Sequence, residues 1–173
     1  MLTNPMTKLN EFRFIPLDWH QPDIWKRYYQ LKFDDELVAT LKWRNIFGTK
    51  VEGWTSVGKW IISRKGLFHP VYHVKKKGSK QTILKVRVRS SKIQPIKAPS
   101  GNVYQWKRFD FWKREYGWML DDKPIMEFKA LLGIKRRHVN FFYILEGVSE
   151  EELSILLLLG TFFAFRIKDS GSA

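Results

Sequence analysis

The chain has 173 residues, of which 44% are hydrophobic and 16% aromatic, and it carries a net charge of +14 from 31 Lys and Arg against 17 Asp and Glu. That length fits one domain, and the apolar content supplies a sizeable core, so disorder is not the default reading. The sequence holds no cysteine, so disulfides, thiolate metal sites and a cysteine nucleophile are excluded. The cationic surplus favours a polyanionic partner, either nucleic acid or an anionic membrane surface.

In chain order, residues 1–24 carry Pro5, Pro16 and Pro22 and are expected to form an N-terminal extension packed on the remainder, residues 25–173. The opening "MLTNPMTKLNEF" has no basic stretch followed by an apolar one, so no secretory signal is expected. Absence of cysteine is compatible with a reducing cytoplasm, and the expected location is cytoplasmic, peripheral to the inner membrane face.

From Phe12 to Leu145, short apolar and aromatic runs alternate with turn residues every 8–12 positions, the pattern of an all-β fold with about twelve strands. "ELVATLKW" predicts Leu37, Ala39, Leu41 and Trp43 on one face, with Val38, Thr40 and Lys42 on the other. "TILKVRVR" predicts Leu84, Val86 and Val88 inward and Lys85, Arg87 and Arg89 outward. "MEFKALL" puts Met126, Phe128, Ala130 and Leu132 together, and Val139–Leu145 is apolar on both faces, as a central strand is. The separators "DDE", "FGT", "KKGSK", "PSGN" and "DDKP" carry turn chemistry. Pro16, Pro70 and Pro95 interrupt runs and are expected at strand ends, edges or bulges.

The row Lys85, Arg87, Arg89 repeats at two-residue spacing, about 7 Å apart on a strand. Lys75, Lys76 and Lys77 lie on the preceding hairpin, with Lys80 and Lys92 nearby. Lys135, Arg136 and Arg137 form a second basic turn. Such cations suit phosphate on a lipid headgroup, a bilayer or a nucleic acid; the competing reading is a solvated outer face. "WKRFDFWKREYGW", Trp106 to Trp118, interleaves aromatics with cations; exposed, it would stack bases or enter a bilayer interface, and buried it is core. His69 and His73, four apart, are expected on one strand face, without a third metal ligand. Asp34–Asp35 and Asp121–Asp122 read as turn formers rather than a catalytic pair. No nucleophile-elbow, zinc-protease, Walker or dinucleotide motif occurs, so neither catalysis nor a cofactor or metal is expected.

"SEEELSILLLLGTFFAFRIKD", Ser149 to Asp169, is the most apolar stretch. Ser149 is a good N-cap and Glu152 completes a capping-box pattern. Glu150–Glu152 and Arg166 and Lys168 suit the two ends of the helix dipole. Leu153–Phe165 leaves no polar face, so the helix is either buried or crosses a membrane. Thirteen residues reach roughly 20 Å at 1.5 Å each, against a hydrocarbon core of roughly 30 Å. Burial is the better reading, with a tail anchor as the other. About eleven strands can enclose a helix, so the segment at about 149–167 is expected to fill its own barrel.

Tyr116 to Arg166 runs through a strand, an acidic turn, a strand, a basic turn, a strand and the apolar helix. This pattern resembles the tubby-like superfamily, which includes plant LURP-one-related proteins and phospholipid scramblases. The resemblance implies a β-barrel of about twelve strands around a hydrophobic C-terminal helix, acting as a non-enzymatic module that binds anionic phospholipid; a monomer is expected. The scramblase-type calcium segment and cysteine cluster have no counterpart. A basic nucleic-acid-binding β-barrel is the alternative, and a tail-anchored membrane protein the third reading.

Overall fold

Hairpin turns and prolines set the strand boundaries. The protein was studied as a computed structural model that describes residues 6–12, 14–89, 92–110, 115–130, 137–141 and 147–169. Its strands are β1 (Leu17–His20), β2 (Tyr28–Phe33), β3 (Glu36–Trp43), β4 (Lys50–Thr55), β5 (Gly58–Lys65), β6 (Val71–Lys76) and β7 (Leu84–Arg89). They continue with β8 (Lys92–Ile93), β9 (Ile96–Lys97), β10 (Val103–Asp110), β11 (Glu115–Leu120), β12 (Lys123–Ala130) and β13 (Arg137–Phe141). A 20-residue helix, α1 (Glu150–Asp169), follows.

Asp121 and Asp122 both adopt positive φ, 49° and 58°, and close the β11–β12 hairpin between Leu120 and Lys123. Two left-handed residues match the twist of the flanking strands, which is why short polar Asp serves here. Asp34 (φ 50°) starts the equivalent turn between Phe33 and Glu36. Both pairs are turn residues. Pro16 and Pro70 directly precede β1 and β6, and Pro95 separates β8 from β9, positions where no ladder N–H is needed.

The strands follow one another in the order β8-β7-β6-β5-β4-β3-β2-β1-β13-β12-β11-β10-β9, each neighbouring pair antiparallel. β1 sits between β2 and β13, so part of the segment expected as an N-terminal extension is an internal strand. The sheet curls until β7 and β9 come within 8 Å, Cα to Cα. Among the described residues no ladder joins these two strands. The fold is therefore mainly β with one C-terminal helix, and its hydrogen-bonded ladder stays open at a seam beside Pro95.

Alternation predicts most side-chain directions, with one correction in β3. Val38 is fully buried and Leu37 only half-buried, the reverse of the expected parity. The register shifts between Leu31 and Lys32 on β2, and a bulge exchanges the faces beyond it. Met126 and Phe128 are buried as expected, whereas the side chains of Ala130 and Leu132 fall outside the described residues. β13 is a central strand from Arg137 to Phe141; the remainder of the run to Leu145 lies outside them.

Every residue of α1 from Glu152 to Phe165 is buried. Leu157, Leu158, Leu159 and Phe162 are fully so, among Leu31, Leu41, Val51, Trp60, Ile62 and Trp118 of the sheet. Each such side chain contributes about 1.5–3 kcal/mol on burial. No helix of the described residues is long and apolar enough to cross a membrane.

The acidic start of α1 ties the helix to three parts of the fold. Ser149 Oγ accepts the Glu152 N–H at 3.1 Å, one half of the capping box. The Glu152 carboxylate accepts from the Tyr104 hydroxyl and from Asn102 Nδ2 at 3.3 Å. Burial and this carboxylate push the Tyr104 phenol well above its ordinary range. Glu150 accepts the backbone N–H groups of Leu9 and Asn10, at a 3-10 turn spanning Leu9–Glu11. Glu151 pairs with Lys76 of β6 at 3.3 Å.

Close approach of helix and sheet depends on two glycines. A Cβ on Gly53 would stand 2.4 Å from Leu158, and one on Gly160 would stand 2.2 Å from Phe128 and 2.8 Å from Trp118 Nε1. The bare Gly160 leaves room for the Trp118 indole to donate to the Leu156 carbonyl at 2.8 Å. In an unpacked helix Gly→Ala would stabilise by about 1 kcal/mol. Here we expect Gly160→Ala to destabilise by about 1–3 kcal/mol, because overpacking outweighs propensity. A urea midpoint unchanged or raised would contradict this packing.

Candidate functional site

Between Gly53 and Phe109 the chain contains fourteen Lys and Arg and no Asp or Glu. The remaining residues hold 17 of each sign, so this one span carries the whole net charge. It forms β5 to β9 and nearly all of β10, with the end of β4.

Pairing decides which of its cations share a surface. On β6, Tyr72 and Val74 are buried, so His73 and Lys75 point outward. His73 pairs with Ser63 of β5 and with Lys85 of β7. Val71 pairs with Lys65 and with Arg87. Leu84 and Val86 are buried and Val88 packs against the core, while Lys85, Arg87 and Arg89 are exposed, as the alternation predicts. The outer face of β5–β6–β7 thus presents Lys65, Lys75, Lys85, Arg87 and Arg89 around His73. Burial, then Lys65 and Lys85, hold the His73 imidazole below its ordinary value, an internal report of positive potential.

Lys76 and Lys77 belong elsewhere. Lys76 follows the inward parity of Tyr72 and Val74 and reaches the rim of the fold. There it pairs with Glu151 and lies 5.3 Å from the Trp60 ring centroid. Lys77 pairs with Glu52 at 2.7 Å, and Arg44 pairs with the same carboxylate at 2.6 Å. Burial opposes ionisation of Glu52, but Lys77 and Arg44 prevail and hold its carboxyl below the usual range. Lys135 and Arg136 and the side chain of Arg137 lie outside the described residues.

The open seam adds a groove of about 490 Å³ lined by Thr82–Lys85, Arg87, Gln94, Pro95 and Lys97. Lys97 is exposed while its neighbour Ile96 is buried, so three cations from two strand edges converge on it. Lys97 and Lys65 were not among the residues singled out by sequence; the acid-free span was the available signal, and only the pairing register selects these two from it.

Trp118 belongs to the core, and Trp106, half-buried, packs against it. Their ring centroids lie 4.9 Å apart, and Trp106 also meets Phe128 at 5.5 Å and Phe163 at 5.9 Å. Tyr116 stacks on Trp106 at 6.0 Å. Trp112 lies outside the described residues. His69 is in the β5–β6 connection, not on the β6 face that carries His73. Among the described residues no group of His, Asp or Glu is placed to hold a metal ion. Comparison with protein-family models, curated proteins and solved structures finds no significant match.

The shift at His73 has a pH signature. Its folded-state pKa lies below the ordinary 6.5, so the unfolded chain takes up the proton first. The associated stability is present above pH 6.5 and is lost as pH falls from there through the folded-state pKa. In an NMR titration we expect Lys85→Gln to raise the His73 pKa part of the way towards 6.5, burial and Lys65 accounting for the remainder. A downward or absent change would refute the cationic field assigned to this face.

Proposed function

We propose that the protein is a non-enzymatic binding module of tubby-like architecture, a barrel-like β sleeve around its C-terminal helix, that docks peripherally on an anionic phospholipid surface. The docking residues are Lys75, Lys85, Arg87 and Arg89, joined by Lys65 and Lys97. A mainly β fold around a buried apolar helix supports the tubby-like reading. The observation that carries the ligand assignment is the concentration of the entire net charge in the Gly53–Phe109 span, from which Lys65, Lys75, Lys85, Arg87 and Arg89 share one outward strand face. Each cation near an anionic bilayer contributes about 1 kcal/mol, and the terms are screened by salt.

A nucleic acid would meet the same cations, but stacking platforms supply much of the affinity for single strands. Trp106 and Trp118 pack against the core, with Tyr116 stacked on Trp106, which favours the bilayer. The deciding experiment compares vesicles containing phosphatidylserine, neutral vesicles and an oligonucleotide, at two salt concentrations. Replacing Lys85, Arg87 and Arg89 together with Gln should leave stability within about 0.5 kcal/mol per site. It should also weaken anionic-vesicle binding by about 3 kcal/mol at low salt. Unchanged vesicle binding by this variant refutes the face, and Lys135, Arg136 and Arg137 become the next set to replace. Tighter binding to the oligonucleotide than to any vesicle refutes the lipid assignment.

A further inference from the structure

Consecutive neighbouring strands send alternate connections to the same end of a sheet. The β1–β2, β3–β4 and β5–β6 connections therefore emerge side by side, each about 10 Å from the next at two strand spacings. This is the end reached by the C-terminus of α1, since Phe165 packs on Tyr29 at 4.4 Å and on Trp43 at 5.3 Å, at the start of β2 and the end of β3.

Each of the three connections exposes an adjacent pair of bulky apolar residues. Ile24 and Trp25 are 58% and 89% exposed, Ile46 and Phe47 84% and 80%, and Leu67 and Phe68 83% and 91%. They include the six most exposed large hydrophobics of the described residues apart from Phe14. At the other end, the β2–β3 and β4–β5 turns carry Asp34–Asp35 and Ser56–Val57, and the glutamates of α1 lie beside them. That end also carries Lys77 and Lys80 in the β6–β7 connection, and its exposed apolar residues Val57 and Val103 stand singly, not in adjacent pairs.

The display is built into the loops. The Trp25 N–H donates to Asp23 Oδ1 at 2.9 Å, and Gln21 Nε2 donates to the Lys26 carbonyl at 2.9 Å. Asn45 Oδ1 accepts the Thr49 and Lys50 N–H groups at 3.0 and 3.2 Å, folding the β3–β4 loop behind Ile46 and Phe47. Arg64 Nη2 donates to the Leu67 carbonyl at 3.3 Å. Gly66 (φ +83°) turns where any Cβ would meet the His69 carbonyl oxygen at 2.9 Å. Polar side chains thus hold each backbone while the apolar pair faces water.

Cations flank every tip along the chain: Arg27 and Lys26, Lys50, and Lys65 and Arg64, while Arg44 is taken up by Glu52. The loops contain a single carboxylate, Asp23, which pairs with Lys26 at 3.3 Å. Arg89 and Lys92, flanking the next connection along, continue the same rim into the cationic strand face. Apolar tips backed by a cationic collar match the layering of an anionic bilayer, with acyl chains beneath phosphate. We propose that this end inserts into such a bilayer, Trp25, Phe47 and Phe68 entering the acyl boundary while Arg27, Lys50 and Lys65 meet headgroup phosphates. The inference rests on the phospholipid reading above but assigns a second, apolar contact to a different surface.

The test compares wild type with W25S/F47S/F68S and with the Lys85, Arg87, Arg89 to Gln variant on phosphatidylserine-containing vesicles at low and high salt. We expect the tip variant to keep its circular dichroism and melting temperature, since the replaced groups are exposed. We expect it to lose about tenfold or more in partitioning at both salt concentrations, because apolar insertion is not screened. The chain has no cysteine, so Phe68→Cys gives a unique nitroxide site whose depth below the phosphates should be measurable by paramagnetic accessibility. Wild-type binding that survives the tip changes, or a label that stays in water, overturns insertion and leaves the cationic face standing. Absence of wild-type vesicle binding overturns both readings. Concentration-dependent self-association abolished by the tip changes would make a second copy of the chain the occupant and overturn the bilayer.

Discussion

An α-helix without a polar side has to be covered all the way round, and the rest of this fold follows from that requirement. From Glu152 to Phe165, α1 offers no buried face and exposed face to choose between; a single packed layer would leave half of it in water. A curled sheet solves the problem, since each strand alternates between lining the helix and facing solvent. The backbone of the helix satisfies itself internally, and Trp118 adds a donor to the Leu156 carbonyl. What cannot be satisfied internally is the first turn, whose N–H groups have no partners within the helix. Ser149 meets one of these, and the three glutamates that follow make the helix entrance the best-connected polar point described. Successive residues on a helix diverge by about 100°, so Glu150, Glu151 and Glu152 reach the N-terminal turn, β6 and β10 respectively.

The same alternation joins architecture to ligand. On β7, Leu84 and Val86 line the core while Lys85, Arg87 and Arg89 face out, so a single six-residue strand serves both. A strand edge that cannot close its ladder is ordinarily exposed to unwanted pairing. Here the seam at Pro95 is flanked by Lys85, Arg87 and Lys97, and the charges that would attract phosphate also discourage another strand from adding to it.

How much of this was legible in the sequence depends on the range of each interaction. Local rules were enough for the helix, its N-cap, the Asp turns and the outward row on β7, because period, cap chemistry and turn conformation are properties of a few adjacent residues. They failed at Val38, where a bulge set by the partner strand exchanged inside for outside. They failed again at Lys76, whose inward parity beside Glu151 depends on a helix start 75 residues away in the chain. The grouping of Lys65 and Lys97 with the β7 row required the register of three pairings and the position of the seam. His69 and His73 looked like one face until β6 proved to begin after Pro70, between them. The exposed apolar pairs are the clearest case of information absent from local pattern: nothing in the sequence groups Ile24–Trp25, Ile46–Phe47 and Leu67–Phe68 until their loops are placed at one end.

The order of elements along the chain also constrains how the fold is reached. The thirteen strands of the described residues all precede α1, so translation produces the lining before the element that fills it. During that interval Trp19, Leu31, Leu41, Trp60 and Trp118 have no helix to cover them, and long-range β pairing is intrinsically slow. A nascent sheet of this kind presents apolar surface and unpaired strand edges together, the two features that make partly made chains prone to aggregate or to engage chaperones. Completion of the helix is then the event that converts a collection of hairpins into a cooperative unit.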